Sequence, residues 1–402
     1  DVQATPRTGP LAGVKVIEMG ALIAGPFGAR LLAEFGADVI KIEPPDKGDP
    51  IRTWRELHNG TSLWWYVQSR NKKCITLDCG SADGQEVLRS LLAEADVLIE
   101  NFRPGTLDKW GFTREVLAQI NPRLIVSRIS GFGQSGPYSK RAGFGAIGEA
   151  MGGIRYLTGY PGMAPTRMGI SLGDSVAGMY AVIGILMALY HRDVRHGGGQ
   201  EVDVALYEAV FSLMESMVPE YDQKQVIRER TGSVLSGIAP SNVYPTRDGK
   251  YAVIAANGDA IVQRLLKVMG REDLLDDERF ANNTARVTHM EFIDALISEW
   301  SSALDLDTCL GLLNENGIPA GPIYNIADIF RDAQYQARDM ILDVAHPDFG
   351  TLKVPGIVPK LSKTPGGVQW LGPRLGEHNL EVFRQVGLTD QQIEELAARG
   401  VI

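Results

Sequence analysis

Gly13-Val-Lys-Val-Ile-Glu-Met19, then Gly20, Gly25 and Gly28, then Ala37-Asp-Val-Ile-Lys-Ile-Glu43: this stretch sets the fold class. The first run is short and β-branched, as a strand is. The glycines make a turn, and Leu31, Leu32 and Phe35 follow at helical spacing. A second strand then closes at Glu43. Further strand-like runs stand at Ala95–Glu100 and Leu124–Ile129, each after a helical stretch. Strands alternating with helices imply parallel strands and crossover helices, so an α/β layer. The opening unit has the layout of a dinucleotide-binding βαβ, with Glu43 as its terminal acid. The spacing departs from it: Gly20-x4-Gly25-x2-Gly28 is not Gly-x-Gly-x-x-Gly, and Pro26 intervenes. It reads as a strand-to-helix turn whose helix N-terminus can cradle a phosphate.

Beyond this layer the chain loses periodicity from Gln223 to Gly237, which suggests a linker. Lys250–Ala256 reads as a strand and Asp259 to Asn316 as helices, giving a smaller second domain. A section with Pro347, Pro355, Pro359, Pro365 and Pro373 reads as extended, before a last helix near Asp390–Arg399. With 402 residues, two compact parts are expected.

Composition excludes several classes. Hydrophobic residues at 44% and charged ones at 22% are globular values. A net charge of −9 speaks against nucleic acid as a partner, though a few local cations can still hold phosphates. Ser175–Tyr190 carries no charge, but it falls short of the roughly 20 residues of a membrane span and reads as a buried helix. Asp1–Pro10 shows no apolar run with a small-residue cleavage site. Cys74, Cys79 and Cys309 cannot all pair and form no Cys-x-x-Cys, so reduced thiols in a cytoplasmic protein are expected. The histidines (His58, His191, His196, His289, His346, His378) show no metal-ligand spacing, and no metal site is expected.

Chemistry concentrates at Gly169-Ile-Ser-Leu-Gly-Asp-Ser-Val-Ala-Gly-Met-Tyr180. Asp174 heads the uncharged helix, and two readings stand. It is an N-cap, since Asp is a favoured cap, or it is a covalent nucleophile. The second draws on the apolar helix behind it. It also draws on Gly173, Ser175 and Gly178, small residues that leave room for a ligand.

Taken in order, the motifs resemble one family, the class III CoA-transferases, which include formyl-CoA transferase and carnitine CoA-transferase and are related to the α-methylacyl-CoA racemases. The markers run from Pro10-Leu-Ala-Gly-Val-Lys-Val-Ile-Glu18 through Ala24-Gly-Pro26, Gly36-Ala-Asp-Val-Ile-Lys-Ile-Glu43, Gly48-Asp-Pro50 and Asn71-Lys-Lys73. They continue through Glu100-Asn-Phe-Arg-Pro-Gly105, Ser130-Gly-Phe-Gly-Gln134, Gly173-Asp174, Gly199-Gln200, Gly317-Ile-Pro319 and Leu375-Gly-Glu-His378. The resemblance implies a Rossmann-like large domain built from both chain ends, a small α/β domain between them, and an interlocked homodimer. The boundaries expected are 1–222 and 329–402 for the large domain and 223–328 for the small one.

It further implies Asp174 as the nucleophile, and CoA contacts at Ala21, Ile23, Ala24, Leu77, Asn101, Phe102, Lys109 and Arg141. Lys109 and Arg141 can meet phosphates and Phe102 can stack on adenine. Arg52 and Arg167 are candidates for the distal carboxylate of a dicarboxylate, or else are structural or solvated arginines. No bound cofactor is implied, CoA and acyl-CoA being substrates.

Departures from the pattern matter. Ile23 stands where formyl-CoA transferase has a glutamine, Pro44 replaces a basic residue, and Pro240–Lys250 lacks the glycine-rich covering loop. Phe144-Gly145 stands where the racemases have a histidine. The expected activity is CoA transfer from an acyl-CoA, succinyl-CoA or another dicarboxylyl-CoA, to a free acid through an aspartyl-CoA thioester. The alternatives are a racemase and a non-catalytic CoA-ester-binding protein.

Overall fold

The strand-like runs do form one parallel layer. In the computed structural model, which describes residues 8–402, the strands are β1 (Lys15–Glu18), β2 (Asp38–Glu43), β3 (Lys72–Thr76), β4 (Val97–Glu100), β5 (Ile125–Ser130) and β6 (Glu201–Ala205). They make a six-stranded sheet in the order β3-β2-β1-β4-β5-β6. Every pairing in it is parallel. β4 and β5 are buried along their whole length, as befits a parallel sheet covered on both faces. The strand order reverses beside β1, and in such sheets ligands bind in the crevice at the carboxyl ends there. Gly20 and Asn101, just past β1 and β4, face that point.

Helix α1 (Ala24–Glu34) places Pro26 in its first turn, where a missing N–H costs nothing. Gly36 ends it with a φ of +102°. The other helices used below are α2 (Thr106–Lys109), α3 (Gly145–Met151) and α4 (Leu172–Asp193). The inner face of α4 is core: Val176, Ala177, Ala181, Ile185 and Ala188 are buried. Its outer face is not. Met179, Ile183, Met187 and Tyr190 are exposed, Met187 to 67%. The helix expected to be buried is therefore half-buried within the single chain. An uncharged sequence shows no periodicity, so it cannot tell a covered face from an open one.

By density of contacts the chain divides into two compact units. One holds the residues up to Arg155, Met168–Val226 and Ala337–Ile402; the other holds Tyr156–Arg167 and Ile227–Gln336. These limits differ from the expected 222/223 and 328/329, and the short piece Tyr156–Arg167 goes with the second unit. The C-terminal segment closes the exposed edge of the large sheet. His378 Nδ1 accepts from Cys74 N at 3.1 Å and Asn379 Oδ1 from Thr76 N at 2.9 Å, so edge strand β3 offers no free ladder there.

In the second unit, β7 (Ser241–Pro245), β8 (Tyr251–Ala255) and β9 (Ala320–Pro322) form an antiparallel sheet ordered β9-β8-β7. Tyr244, Ile254, Val262, Leu265, Ile297 and Leu313 make its core with the flanking helices. In the proline-rich section a hairpin appears that the sequence reading missed, β10 (Ile341–His346) with β11 (Gly350–Pro355). Pro347 lies in its turn and Pro355 at its end, where neither interrupts the ladder.

Four of the buried charged side chains form one cluster at the large sheet. Glu18, Lys41 and Lys72 are 0% exposed and Asp49 is 2% exposed. Lys41 Nζ lies 2.6 Å from Glu18 and 2.8 Å from Asp49, while Lys72 Nζ bonds the other Glu18 oxygen. Removing one member of a buried pair strands the other charge in a low dielectric. Lys72→Met is therefore expected to lose on the order of 3 kcal/mol, read as an earlier first transition in urea. An unchanged midpoint would show that the pair contributes nothing.

Candidate active site

Asp174 is the third residue of α4, not its cap. Ser171 holds the N-cap position and makes no side-chain cap bond. The N-cap reading of Asp174 therefore fails. Its side chain, half-buried, lies against the first residue of α3: a Cβ built on Gly145 would be 2.2 Å from Asp174 Oδ2 and 3.0 Å from Oδ1. No other residue fits at position 145 without displacing the carboxylate. The first turn of α4, a 22-residue helix, favours a negative charge there.

The small residues around Asp174 do a different job from the one expected. A Cβ on Gly178 would meet Ala24 O at 2.7 Å, and one on Gly28 would meet Gly178 O at 3.0 Å. The space at Gly178 is filled by α1, not left for a ligand. Helix α4 thus crosses α1 with backbones nearly touching, one turn beyond Asp174, and Ala24 is brought beside it. At Gly173 the space is taken by Glu149 Cγ, 3.0 Å from an added Cβ.

The loop ahead of α1 is held from several sides. Asn101 Oδ1 accepts from Ala21 N and Asn101 Nδ2 donates to Ala21 O, both at 2.9 Å. Asp49 Oδ1 accepts from Leu22 N at 2.9 Å, and Gln68 Nε2 donates to Leu22 O and Ile23 O at 3.3 Å. Ile23 itself is buried at the N-cap of α1. Asn101, expected to contact CoA, thus spends its amide on the Ala21 backbone and positions the loop.

Phe102 is half-buried, set edge-on to Trp110 at 5.3 Å, with its N–H donated to Glu100 Oε2 at 2.8 Å. Arg103 Nη2 donates to Lys140 O at 3.1 Å, tying this loop to the one that carries Arg141. Arg141 is exposed and lies over the Tyr138 ring at 3.6 Å; Lys109, at the end of α2, is exposed as well. Ala21, Asn101 and Phe102 are thus brought together, with Arg141 on an adjoining loop.

Two expected residues fall elsewhere. Leu77 is 2% exposed, with its side chain packed in the apolar core. Arg52 closes its fork on Glu43, with Nε to Oε2 at 2.7 Å and Nη2 to Oε1 at 2.8 Å, and stacks on Trp65 at 3.6 Å. It is an internal ion pair and not a carboxylate clamp. Glu43 is likewise no ribose acid, since Asp49 N and Arg52 occupy it. Arg167 is exposed at the end of the short Tyr156–Arg167 piece of the second unit. Glu149, which the sequence reading missed, has the signal of an acid four residues after a glycine.

The sequence matches the family model described as CoA-transferase family III over residues 11–379. The chain belongs to CoA-transferase family III. A succinyl-CoA–D-citramalate CoA-transferase of Chloroflexus aurantiacus is 50% identical to it over 402 residues, spanning 100% of this chain and 99% of that protein. The beta subunit of a succinyl-CoA–L-malate CoA-transferase from the same organism is 42% identical over 100% of both chains. A solved CAIB/BAIF family protein from Brucella suis matches with a TM-score of 0.86 at 36% identity, over 94% of this chain and 100% of that one.

This CoA-transferase exposes none of its thiols. All three cysteines are buried, and burial pushes Cys79 up to about 12, Cys309 up to about 11 and Cys74 well above the thiol range. Burial also pushes the Glu100 carboxyl, which holds the Phe102 N–H, up to about 7 against the pull of Arg128. A folded pKa raised above the ordinary 4.5 means the protonated group favours the folded state. That contribution is complete below 4.5 and is lost as pH rises through about 7. Glu100→Gln should lack this slope. Its stability relative to wild type should therefore rise between about pH 5 and about pH 8, measured as urea midpoints of both proteins; parallel pH profiles would refute it.

Proposed function

We propose that this enzyme moves CoA from a dicarboxylyl-CoA, succinyl-CoA foremost, to a second dicarboxylate of the citramalate or malate type, with Asp174 as the covalent relay. One observation carries it: an aspartate in the first turn of a long helix, its carboxylate laid against a glycine that no side chain could replace. The named activities of the relatives supply the donor and acceptor class.

The Asp174 carboxylate attacks the donor thioester carbonyl, and CoA leaves as thiolate with a mixed anhydride formed. The thiolate attacks the aspartyl carbonyl of that anhydride, releasing the donor acid and leaving an aspartyl-CoA thioester. The acceptor carboxylate attacks this thioester, expelling the thiolate and forming a second anhydride. The thiolate then attacks the acceptor's acyl carbon, and Asp174 returns as carboxylate. Each bond broken is matched by one formed, and one difficult exchange is split into easier acyl transfers. The loop Ala21–Ala24, Phe102, Lys109 and Arg141 would bind the nucleotide end of CoA.

Incubation with succinyl-CoA and trapping with hydroxylamine should modify one aspartate in the peptide Met168–Tyr180. Asp174→Asn keeps the shape and is expected to lose transfer by several orders of magnitude while staying folded. Near wild-type transfer by that variant would remove Asp174 from the mechanism.

The open apolar face of α4, with Met187 67% exposed, supports a second copy of the chain as its cover, in the interlocked homodimer that the resemblance implies. Sedimentation at micromolar concentration should give a dimer, and a monomer there would refute the assembly.

A further inference from the structure

Helix α4 begins without a local cap. Ser171, in the N-cap position, makes no side-chain bond, so the first amides of the helix need partners from elsewhere. One partner comes from α3. Glu149 Oε1 accepts from Gly173 N at 3.3 Å, and Oε2 lies 3.5 Å from Arg155 Nη2. Glu149 is 2% exposed, so this is a buried charge held between one backbone amide and one guanidinium. The same helix that supplies Glu149 begins with Gly145, the residue on which the Asp174 carboxylate rests. Gly173 is the neighbour of Asp174 in the chain. The two contacts, Glu149 to Gly173 and Gly145 to Asp174, fix the start of α4 at two adjacent residues against one short helix.

We propose that Glu149 is a positioning residue for the transfer reaction, a cap supplied from α3 that holds the Gly173 amide and so sets where the Asp174 carboxylate stands. This rests on the reading of Asp174 as the nucleophile. The bond from Gly173 to Glu149 leaves the nucleophile little freedom to slide along or turn about the helix axis. A carboxylate that must meet a thioester carbonyl at attack distance loses rate steeply when displaced, by about a hundredfold for a misplacement of about 1 Å. Such a loss falls on the acylation step and leaves the binding of CoA, made by other loops, as it was.

The test compares Glu149→Gln, which retains an acceptor oxygen at the same reach, with Glu149→Met, of similar size and no acceptor oxygen. Single-turnover acylation by succinyl-CoA is followed by trapping at Asp174, beside the donor KM. The Met variant should acylate about a hundredfold more slowly with an unchanged KM, and Gln should recover most of that rate. Gly173→Ala, whose Cβ would press on Glu149 Cγ, gives a second route to the same defect should the Met variant fail to fold. Acylation at the wild-type rate in the Met variant, or in Gly173→Ala where Met is unfolded, overturns the proposal, as does a Gln variant no faster than Met. Wild-type protein that traps no label at Asp174 would instead bring down the nucleophile reading, and this proposal with it.

Discussion

A cluster of two carboxylates and two ammonium groups, closed off from water, holds the carboxyl end of the large sheet and the loop beyond β1 in place. Glu18 ends β1, at the point where the strand order of the sheet reverses. Lys41 and Lys72 reach it from the next two strands, and Asp49 joins from the loop after β2. Burial alone penalises the Lys41 ammonium, yet Asp49, Glu18 and Glu43 hold its pKa well above the lysine range. Burial likewise penalises the Asp49 carboxylate, and Lys41 outweighs it, keeping Asp49 ionised to lower pH than usual. The cluster also reaches the backbone beyond it. Lys41 bonds Gly20 O at 3.0 Å, Asp49 bonds Leu22 N at 2.9 Å and Lys72 bonds Pro26 O at 2.8 Å. Leu22 sits at a φ of 67°, a left-handed conformation that costs roughly 1–2 kcal/mol and persists because these bonds hold it.

From that anchored loop the constraint passes to Asp174 through helix contact. Helix α1 leaves the loop and crosses α4 where Gly28 and Gly178 let the two backbones approach. A larger residue at either position would push α4 outward, and its first turn with it. Helix α3 bounds the same turn from the other side through Gly145 and Glu149. Asp174 is therefore set by rigid elements on two sides, as the proposed role, in which it must align with a carbonyl, requires.

Much of this was legible in the residues, and the limits are instructive. The β1–α1–β2 unit and the later strands announce themselves, because fully buried parallel strands are runs of apolar residues and the turns between carry glycine and proline. Asp174 stood out because one charge precedes a long uncharged helix. Lys41 and Lys72 did not, since a charged residue in a strand reads as a solvated position until its partners are known. For Arg52 two readings stood, a carboxylate clamp and a structural ion pair, and the structure shows the second: Glu43, at the end of β2, takes its fork. Leu77 was carried over from a resemblance that fixes a position but not the direction of its side chain. The covered and open faces of α4 were indistinguishable in an uncharged sequence. Gly145 and Glu149 escaped because close approach between two helix starts is a tertiary fact.

The placement of Asp174 also answers a difficulty in using a carboxylate as a relay. A helix N-terminus stabilises an anion by up to about 2 kcal/mol in a partly buried setting, and each such gain makes the anion a poorer nucleophile. If every early amide of α4 were spent on Asp174, acylation would run uphill. In this chain the Gly173 amide is bonded to Glu149 instead. That spends one early donor of the helix on a neighbouring carboxylate. On the proposed mechanism the first turn of α4 favours the Asp174 anion, while the amide just before it is held by Glu149 and keeps that turn in place.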